Sequence, residues 1–189
     1  MRADVDLTRP PTADRPVPGI VCRQTISQAD RAQHFAIRHR VFVREQGVFA
    51  GSDLDARDEA GRDGSVIRLL GLCDGAFAGT VRLFELDPAS RVWQGDRLAV
   101  LAPFRVRGVG GPLVRCAVAT AASRGGYRMD AHIQLANVGF FRRLGWVSSG
   151  DPELYAGLPH QPMSIALPPP TEGAAAVRAL ALGVNDAGR

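Results

Sequence analysis

The chain contains no lysine, few cysteines and no long apolar segment. All 23 of its basic residues are arginines, which excludes a phosphate-binding loop of the Walker A type because that loop requires a lysine. Among 189 residues there are 3 cysteines, Cys22, Cys73 and Cys116, which lie far apart within apolar runs. They predict buried free thiols in a reducing cytoplasm, and neither a disulfide framework nor a metal site.

Other absences concern membranes, metals and nucleic acid. No stretch reaches the roughly 18 apolar residues of a membrane-spanning helix, and the N-terminus lacks the apolar core of a secretory signal. The 4 histidines include no pair with a cysteine at ligand spacing, so we expect no metal. The net charge of +4 is dispersed, without a basic stripe interleaved with aromatic residues. This pattern disfavours nucleic acid as a partner but is compatible with a polyanionic cofactor.

The length and composition predict one globular domain with two tails. The hydrophobic content is 46%, which is enough for a single core in a chain of this length. Residues 1–19 are rich in Pro, Asp and Arg and are expected to be disordered. Residues 20–167 form the domain. The triple proline 168–170 marks a boundary to a peripheral tail, 168–189, which contains one weak helix over 171–182.

Apolar periodicity and turn signals predict an alternation of strands and helices. Ser27 can cap the first helix, and Asp74-Gly75 between two apolar runs indicates a hairpin. Residues 47–59 are predicted to form an acidic loop. We expect strands at 20–26, 65–73, 77–86, 92–101 and 127–135, and helices at 28–45, about 108–124 and 137–144.

The most informative stretch is the basic, glycine-rich turn 105–111, which separates a strand from a helix of small residues. Because Pro112 is tolerated only in the first turn of a helix, the helix should begin no earlier than about Gly108. The amides of residues 109–111 then lack internal acceptors. Free amides, the helix dipole and two neighbouring arginines predict a site for phosphate or pyrophosphate.

Two other interpretations of this turn stay open. The pair Gly108-x-Gly110 after a strand, with Asp130 further on, partly matches a dinucleotide-binding fingerprint, although Leu113 occupies the position of its third glycine. An ordinary glycine-rich turn before a core helix would explain the helix, but would leave the two arginines and three glycines without a reason.

Arg105-x-x-Gly108-x-Gly110, which follows the strand at 97–100, resembles the coenzyme A pyrophosphate loop of the GNAT acyltransferase superfamily. Three further segments are similar to members of that superfamily. The segment 134–146 resembles its second signature, and 155–163 resembles the Gly-Ile-Pro-His segment of ElaA-like members. The segment 40–46, followed by Asp53, Asp55 and Asp58, resembles ElaA-like proteins and, more faintly, acyl-homoserine-lactone synthases. A branch associated with nitrogen starvation looks closest overall.

The resemblance implies an α/β (α+β) fold, with a mixed, mostly antiparallel sheet of six to seven strands that is splayed at its centre and has helices on both faces. It implies direct transfer of an acetyl or other acyl group from acyl-CoA to the amine of a small molecule or amino-acid-like substrate. In this interpretation the residues that bind coenzyme A are Leu98, Ala99, Val100, Arg105, Arg107, Gly108, Val109, Gly110, Gly111, Asn137 and Phe141.

The same resemblance provides candidates for proton transfer. Glu45 and His160 could act as the base, as could the acidic loop, which could equally bind a cationic substrate without taking its proton. Many GNAT enzymes carry a tyrosine that protonates the coenzyme thiolate, but here that position holds Phe141, which has no proton to donate. Tyr155 is then a candidate acid, and water is another.

Two alternatives to a small-molecule acetyltransferase follow. The segment 41–46, together with the acidic residues that follow it, favours an N-acyl amino acid synthase similar to the homoserine-lactone synthases, whereas Phe141 favours a coenzyme A sensor that does not catalyse. In every case we expect a cytoplasmic protein with a small-molecule ligand, no nucleic acid and no membrane. A homodimer is compatible with the sequence, which does not fix the oligomeric state.

Overall fold

The computed structural model describes residues 19–60 and 65–182, so the predicted disorder of the N-terminal tail falls, apart from Gly19, on residues outside the described part. The strands are β1 Ile20–Gln24, β2 Val66–Cys73, β3 Ala76–Asp87, β4 Val92–Val100, β5 Arg128–Gln134, β6 Val147–Ser148, β7 Glu153–Tyr155 and β8 Leu158–Ala166. The α-helices are α1 Gln28–Arg38, α2 Ala56–Ala60, α3 Ala102–Arg105, α4 Gly110–Ser123, α5 Val138–Arg143 and α6 Pro170–Leu182. None of these helices is long and apolar enough to cross a membrane.

One mixed sheet organises the domain, in the order β1-β2-β3-β4-β5-β8-β6, with β7 paired to β8. Neighbouring strands are antiparallel except β4 and β5, which are parallel. These two pair only where Val92–Gln94 faces Arg128–Asp130, and beyond that point they separate. The predicted mixed sheet with a splayed centre is therefore confirmed.

Helices cover both faces of the sheet, as the resemblance implied. In β2, Leu69 belongs to the core beneath α4, whereas its neighbour Leu70 belongs to the core beneath α1, as expected from the alternation of side chains along a strand. α6 packs on α4 and β1. A Cβ atom added at Gly173 would lie 2.7 Å from the Cβ of Ala122, so glycine allows α6 to approach α4 this closely.

The described elements differ from the predicted ones in the first helix, in the short helices α2 and α3, and in the strands β6, β7 and β8, which were not predicted. The first helix, expected to be continuous over 28–45, is an α-helix only to Arg38 and continues as the π-helix His39–Glu45. The short α2 and α3 lie in segments expected to be loops. β8 was not predicted, because Pro159 and Pro162 within nine residues argue against a strand.

Ser27 caps α1 as expected. Its side chain accepts a hydrogen bond from the amide of Asp30, and the carboxylate of Asp30 accepts one from the amide of Ser27, which together form a capping box. Arg23 of β1 pairs with the same carboxylate at 2.6 Å. The cap therefore fixes α1 to the edge of the sheet, and α1 in turn positions the π-helix that leads to the cleft described below.

Candidate active site

A cleft of about 140 Å³ opens where β4 and β5 separate. Its walls are Gln94–Leu98 of β4 and Met129–Gln134 of β5, and its outer side is covered by Phe42, Val48 and Phe49. In a parallel pair the strands would normally hydrogen-bond along their whole length. The loss of pairing after Gln94 and Asp130 therefore leaves backbone groups of both strands facing an open space.

The cleft has an apolar floor and a polar mouth. The floor is formed by buried side chains of the main core, which are Val81, Val114, Ala117, Met129, Phe141 and Trp146. The mouth carries side chains that can hydrogen-bond, which are Gln46, Gln94, Gln134, Asn137, His132, Tyr155 and His160. This arrangement suits a ligand with an apolar part and a polar, reactive end.

A β-bulge shapes the β4 wall of the cleft. Arg82 faces Asp96 but Thr80 faces Ala99, so β4 contains one extra residue at this point. Arg97, at the bulge, has a φ of 52°, which is uncommon for a residue other than glycine. Its guanidinium lies 3.3 Å from a carboxylate oxygen of Asp55 and over the ring of Phe49, and these contacts hold the strained conformation.

Beyond the bulge, one amide of β4 faces the gap. Leu101 donates its amide to the carbonyl of Ala78 on β3. Because backbone groups alternate in direction along a strand, the amide of Val100 points the other way, towards the space that β5 has left. Ala99 has the same direction as Leu101, towards β3. Of the two amides that could polarise a carbonyl here, the structure therefore presents that of Val100.

The glycine-rich turn lies next to this end of β4, between α3 and α4. α4 begins at Gly110, in agreement with the limit that Pro112 sets. In the part of the chain that the structure describes, the amides of residues 109–111 donate to no backbone carbonyl. Gly108 is exposed and Gly110 half-buried, whereas Val109 and Gly111 are buried. The accessible surface of the turn is thus formed by residues 105–108 and by Gly110.

The glycines of the turn have different roles. Gly108 has a φ of 75°, a conformation that favours glycine. Gly110 has no such requirement, and a Cβ atom added to it would meet Phe140 at 3.4 Å and Val100 at 3.9 Å, which are ordinary contacts. The protein itself therefore gives no steric reason for glycine at position 110. Close approach of a ligand to the backbone would provide one.

Both arginines of the turn already have partners. Arg105 forms an ion pair of 2.5 Å with Glu45 and donates to the carbonyl of Val100 at 3.0 Å. Arg107 pairs with Asp74 at 2.7 Å, and both of these side chains are more than half exposed. Exposed pairs contribute at most about 1 kcal/mol, so an incoming phosphate group can replace Asp74 at little cost.

The carboxylates of the acidic segment are directed into a buried cluster of arginines. Arg38 is fully buried and binds Asp53 at 2.7 Å and Asp58 at 2.8 Å. Arg82, also fully buried, binds both oxygens of Asp55 at 2.7 Å. Although burial acts to raise it, hydrogen bonds from Arg38 and the charges of both arginines lower the pKa of Asp58. This cluster anchors the segment, and Asp58 is a poor proton acceptor.

His34 completes the cluster in its neutral form. Thr80 donates its hydroxyl proton to the carbonyl of Leu69 at 2.6 Å and so accepts from Nδ1 of His34. Nε2 of the ring then faces Arg38 at 3.2 Å as an acceptor. Burial, followed by the charge of Arg38, lowers the pKa of His34 to about 2. The residue is a neutral structural histidine.

The candidate catalytic residues fall into two groups. His160 and Tyr155 both line the cleft, and their rings meet edge to face with centroids 5.5 Å apart. Glu45 lies at the end of the π-helix, where its carboxylate faces Arg105 and does not line the cleft. Asn137, Phe141 and Leu98, assigned by resemblance to coenzyme A binding, line the cleft as well.

Sequence reasoning missed His132, which lies on the β5 wall beside Tyr155. The two rings are stacked, with their centroids 4.3 Å apart and an interplanar angle of 2°. Nε2 of His132 lies 2.8 Å from a carboxylate oxygen of Glu153. The alternation of polar and apolar residues along β5 was the available signal. It separates Met129, Ala131 and Ile133 from the partly exposed row that contains His132, but it does not show which wall of the cleft that row faces.

These features fit an acyl-CoA as substrate. The glycine-rich turn offers free amides and a replaceable cation to a pyrophosphate, the β4 gap offers one amide to a carbonyl, and the apolar floor offers room for an acyl group. A dinucleotide fingerprint fits less well, because β4 is followed by the short α3 before the turn and does not lead directly into it.

Comparison with known proteins identifies the same family. The model of the acetyltransferase (GNAT) family matches residues 27–146. A protein of Bacillus subtilis (strain 168) with a provisional acetyltransferase name is 25% identical over 138 residues, which cover 73% of this chain and 90% of that protein. A provisionally named N-acetyltransferase from Lactobacillus plantarum superposes with a TM-score of 0.68 at 26% identity, covering 79% of this chain and 99% of that one.

The fold of Escherichia coli ElaA is also similar, with a TM-score of 0.66 at 20% identity over 77% of this chain and 98% of that chain. The predicted superfamily is therefore confirmed, and the ElaA-like branch is consistent with it. The prediction of an N-acyltransferase that uses acyl-CoA as co-substrate is confirmed at the level of the family. The chain belongs to the acetyltransferase (GNAT) family.

Proposed function

We propose that the cleft transfers an acyl group from acyl-CoA directly to the amine of a small molecule. The observation that carries this proposal is the adjacency of two features: the gap between β4 and β5, and the glycine-rich turn at the start of α4. The turn supports binding of the pyrophosphate and the gap supports binding of the pantetheine arm. Acyl-CoA supplies an activated thioester carbonyl when bound.

Each part of the site has a physical task in this proposal. Arg107 and the amides near Gly110 hold the diphosphate, and the amide of Val100 donates a hydrogen bond to the carbonyl oxygen as negative charge develops on that oxygen. Phe141 packs beside the arm at the floor of the cleft. The amine enters from the polar mouth, and fixed orientation of the two reactants supplies much of the rate.

Binding and turnover can be tested separately. In isothermal titration, acetyl-CoA and CoA should both bind, and Arg107→Ala should weaken binding by about 10- to 150-fold, which corresponds to loss of a charged hydrogen bond of about 1.5 to 3 kcal/mol. Arg124→Ala, at the exposed C-terminal end of α4, is the matched control. No binding up to millimolar concentration would contradict the proposal.

Turnover is measured as thiol release from acetyl-CoA with a panel of amines. The panel should include spermine and S-adenosylmethionine, because these appear with structurally similar proteins: a spermidine N-acetyltransferase from Vibrio cholerae and the acyl-homoserine lactone synthase BjaI. Free amino acids complete it. Thiol release with any of these amines separates an enzyme from a coenzyme A sensor, which would bind without turnover.

A second candidate changes the donor: an acyl group longer than acetyl, as in the N-acyl amino acid synthases. The observation that favours it is the apolar floor, where Val114 and Ala117 of α4 face Met129 of β5. BjaI is described with isopentyl-CoA. A higher kcat/KM for hexanoyl-CoA than for acetyl-CoA, together with long-chain acyl amides in extracts of overexpressing cells, would support this candidate.

The cellular setting is also part of the proposal. Cys22, Cys73 and Cys116 are all buried free thiols, which supports a cytoplasmic location because such thiols persist in reducing compartments. A small molecule as partner, and not nucleic acid, is supported by the internal pairing of Arg38 and Arg82 with carboxylates. A homodimer stays a prediction, to be checked by light scattering.

A further inference from the structure

Three strands bring together four polar side chains, three of which, His132, Tyr155 and His160, line the cleft. β5 contributes His132, β7 contributes Glu153 and Tyr155, and β8, which pairs with both, contributes His160. The rings of His132 and Tyr155 are stacked, and Tyr155 meets His160 edge-on. The groups that can titrate and that face His132 are therefore Glu153 and Tyr155 from β7, with His160 next in the row.

The contacts of His132 define its tautomer. Nε2 lies 2.8 Å from a carboxylate oxygen of Glu153. A carboxylate only accepts hydrogen bonds, so Nε2 carries the hydrogen and the neutral ring has its lone pair on Nδ1. Nδ1 is buried and has no hydrogen-bond partner in the part of the chain that the structure describes. A buried acceptor without a partner is costly, and a donor from a ligand in the cleft would satisfy it.

We propose that His132 is the base that deprotonates the acceptor amine and that Glu153 is its positioning residue. The inference rests on the proposed function. The ammonium of the acceptor transfers one proton to Nδ1 of His132, and the carboxylate of Glu153 stabilises the imidazolium that results. The neutral amine forms the new C–N bond, the C–S bond breaks, and the sulfur leaves as a thiolate that takes up the second proton of the amine nitrogen.

The other candidate bases are less well placed. Glu45 is occupied by Arg105, and Asp58 is held by Arg38 with a lowered pKa. His160 donates from Nδ1 to the carbonyl of Leu158 at 2.8 Å, so its lone pair is on Nε2, and no carboxylate partner is recorded for its ring in the described residues. His132 combines a free lone pair with a carboxylate behind it, which is the arrangement that a base requires.

A spectroscopic test examines the dyad independently of turnover. In ¹⁵N-histidine NMR, with the signal assigned by its loss in His132→Gln, we expect the neutral ring of His132 to carry its hydrogen on Nε2. Glu153→Gln should shift the Nε2 resonance of His132, because the charged acceptor of its hydrogen bond becomes a neutral one. A hydrogen on Nδ1 in the wild type, or an Nε2 resonance that Glu153→Gln leaves unchanged, would overturn the proposal.

A kinetic test examines the role. With acetyl-CoA and the most active amine of the panel, His132→Gln should lower kcat by about 100-fold or more and abolish the acidic limb of the kcat/KM–pH profile. Binding of acetyl-CoA, measured by titration, should not change. His39→Gln, on the π-helix and remote from the cleft lining, is the matched control and should retain both activity and profile.

Each outcome of the kinetic test has one meaning. If the wild type is active and His132→Gln retains its kcat and the acidic limb of its pH profile, the assignment of His132 as base and Glu153 as its positioning residue is wrong, and the proposed function stands. If His160→Gln abolishes the acidic limb and His132→Gln does not, the base is His160. If the wild type neither binds acetyl-CoA nor releases thiol with any amine, the proposed function fails, and the catalytic role of His132 fails with it.

Discussion

The substitution Gly110→Ala tests whether glycine at position 110 is required by the fold or by a bound ligand. Gly110 is the first residue of α4 and does not have a positive φ. The added methyl would meet Phe140 at 3.4 Å and Val100 at 3.9 Å, so it fits without displacing either. Replacing a helical glycine by alanine where the conformation permits it stabilises a protein by about 0.4 to 1 kcal/mol. The free energy of unfolding should therefore stay the same or rise by that amount.

Binding should change in the opposite direction. If a pyrophosphate lies against the backbone of the turn, the methyl group pushes it away from the amides, and at least one charged hydrogen bond of about 1.5 to 3 kcal/mol is lost. The affinity for CoA should then fall by about 10- to 150-fold. Titration calorimetry gives the affinity, and urea denaturation gives the stability.

The matched control is Gly139→Ala in α5. Gly139 is exposed, and an added Cβ would meet only Arg143, at 3.7 Å. This variant should gain similar stability and retain its affinity for CoA. An affinity of Gly110→Ala within a factor of two of the wild type would refute the reasoning, because the glycine would then serve no ligand.

Three further predictions concern the cluster and the floor of the cleft. Arg38→Met should lower the free energy of unfolding by about 3 to 5 kcal/mol in urea denaturation, because two buried carboxylates lose their closest arginine; a loss below about 1 kcal/mol would contradict the pairing. Because the pKa of His34 is lowered in the folded protein, only the unfolded chain takes up a proton at this residue between pH 6.5 and about 2. The free energy of unfolding should therefore decrease as the pH is lowered, by about 2 kcal/mol at pH 5 relative to pH 7.5. That part of the loss should disappear in His34→Gln, and an unchanged slope would exclude His34 as its source. Ala117→Leu should reduce kcat/KM for hexanoyl-CoA by about 10-fold or more and spare acetyl-CoA, whereas an equal loss for both donors would contradict an acyl site at the floor.

The sequence was most informative where a local rule acts. Pro112 limited the start of α4, Asp74-Gly75 fixed the hairpin between β2 and β3, and Ser27 capped α1. In each case the deciding interaction lies within a few residues along the chain. The proposed anion site at the glycine-rich turn has the same local basis, since its glycines, arginines and proline are contiguous.

Contacts between distant segments could not be predicted in this way. The carboxylates of Asp53 and Asp58 were candidates for catalysis, but both bind Arg38. That pairing depends on how the segment folds back over α1. His132 acquires its role from Glu153, which lies on a three-residue strand that pairs with the unpredicted β8. Without β8, neither Glu153 nor His160 could be placed beside β5.

A crystal structure of the protein with bound acetyl-CoA tests the central claim most directly. We expect the pyrophosphate on the turn formed by Arg107, Gly108 and Gly110, and the thioester carbonyl between β4 and β5 within hydrogen-bond distance of the amide of Val100. Acetyl-CoA bound elsewhere on the chain, with the gap between the two strands empty or filled by side chains, would contradict the account.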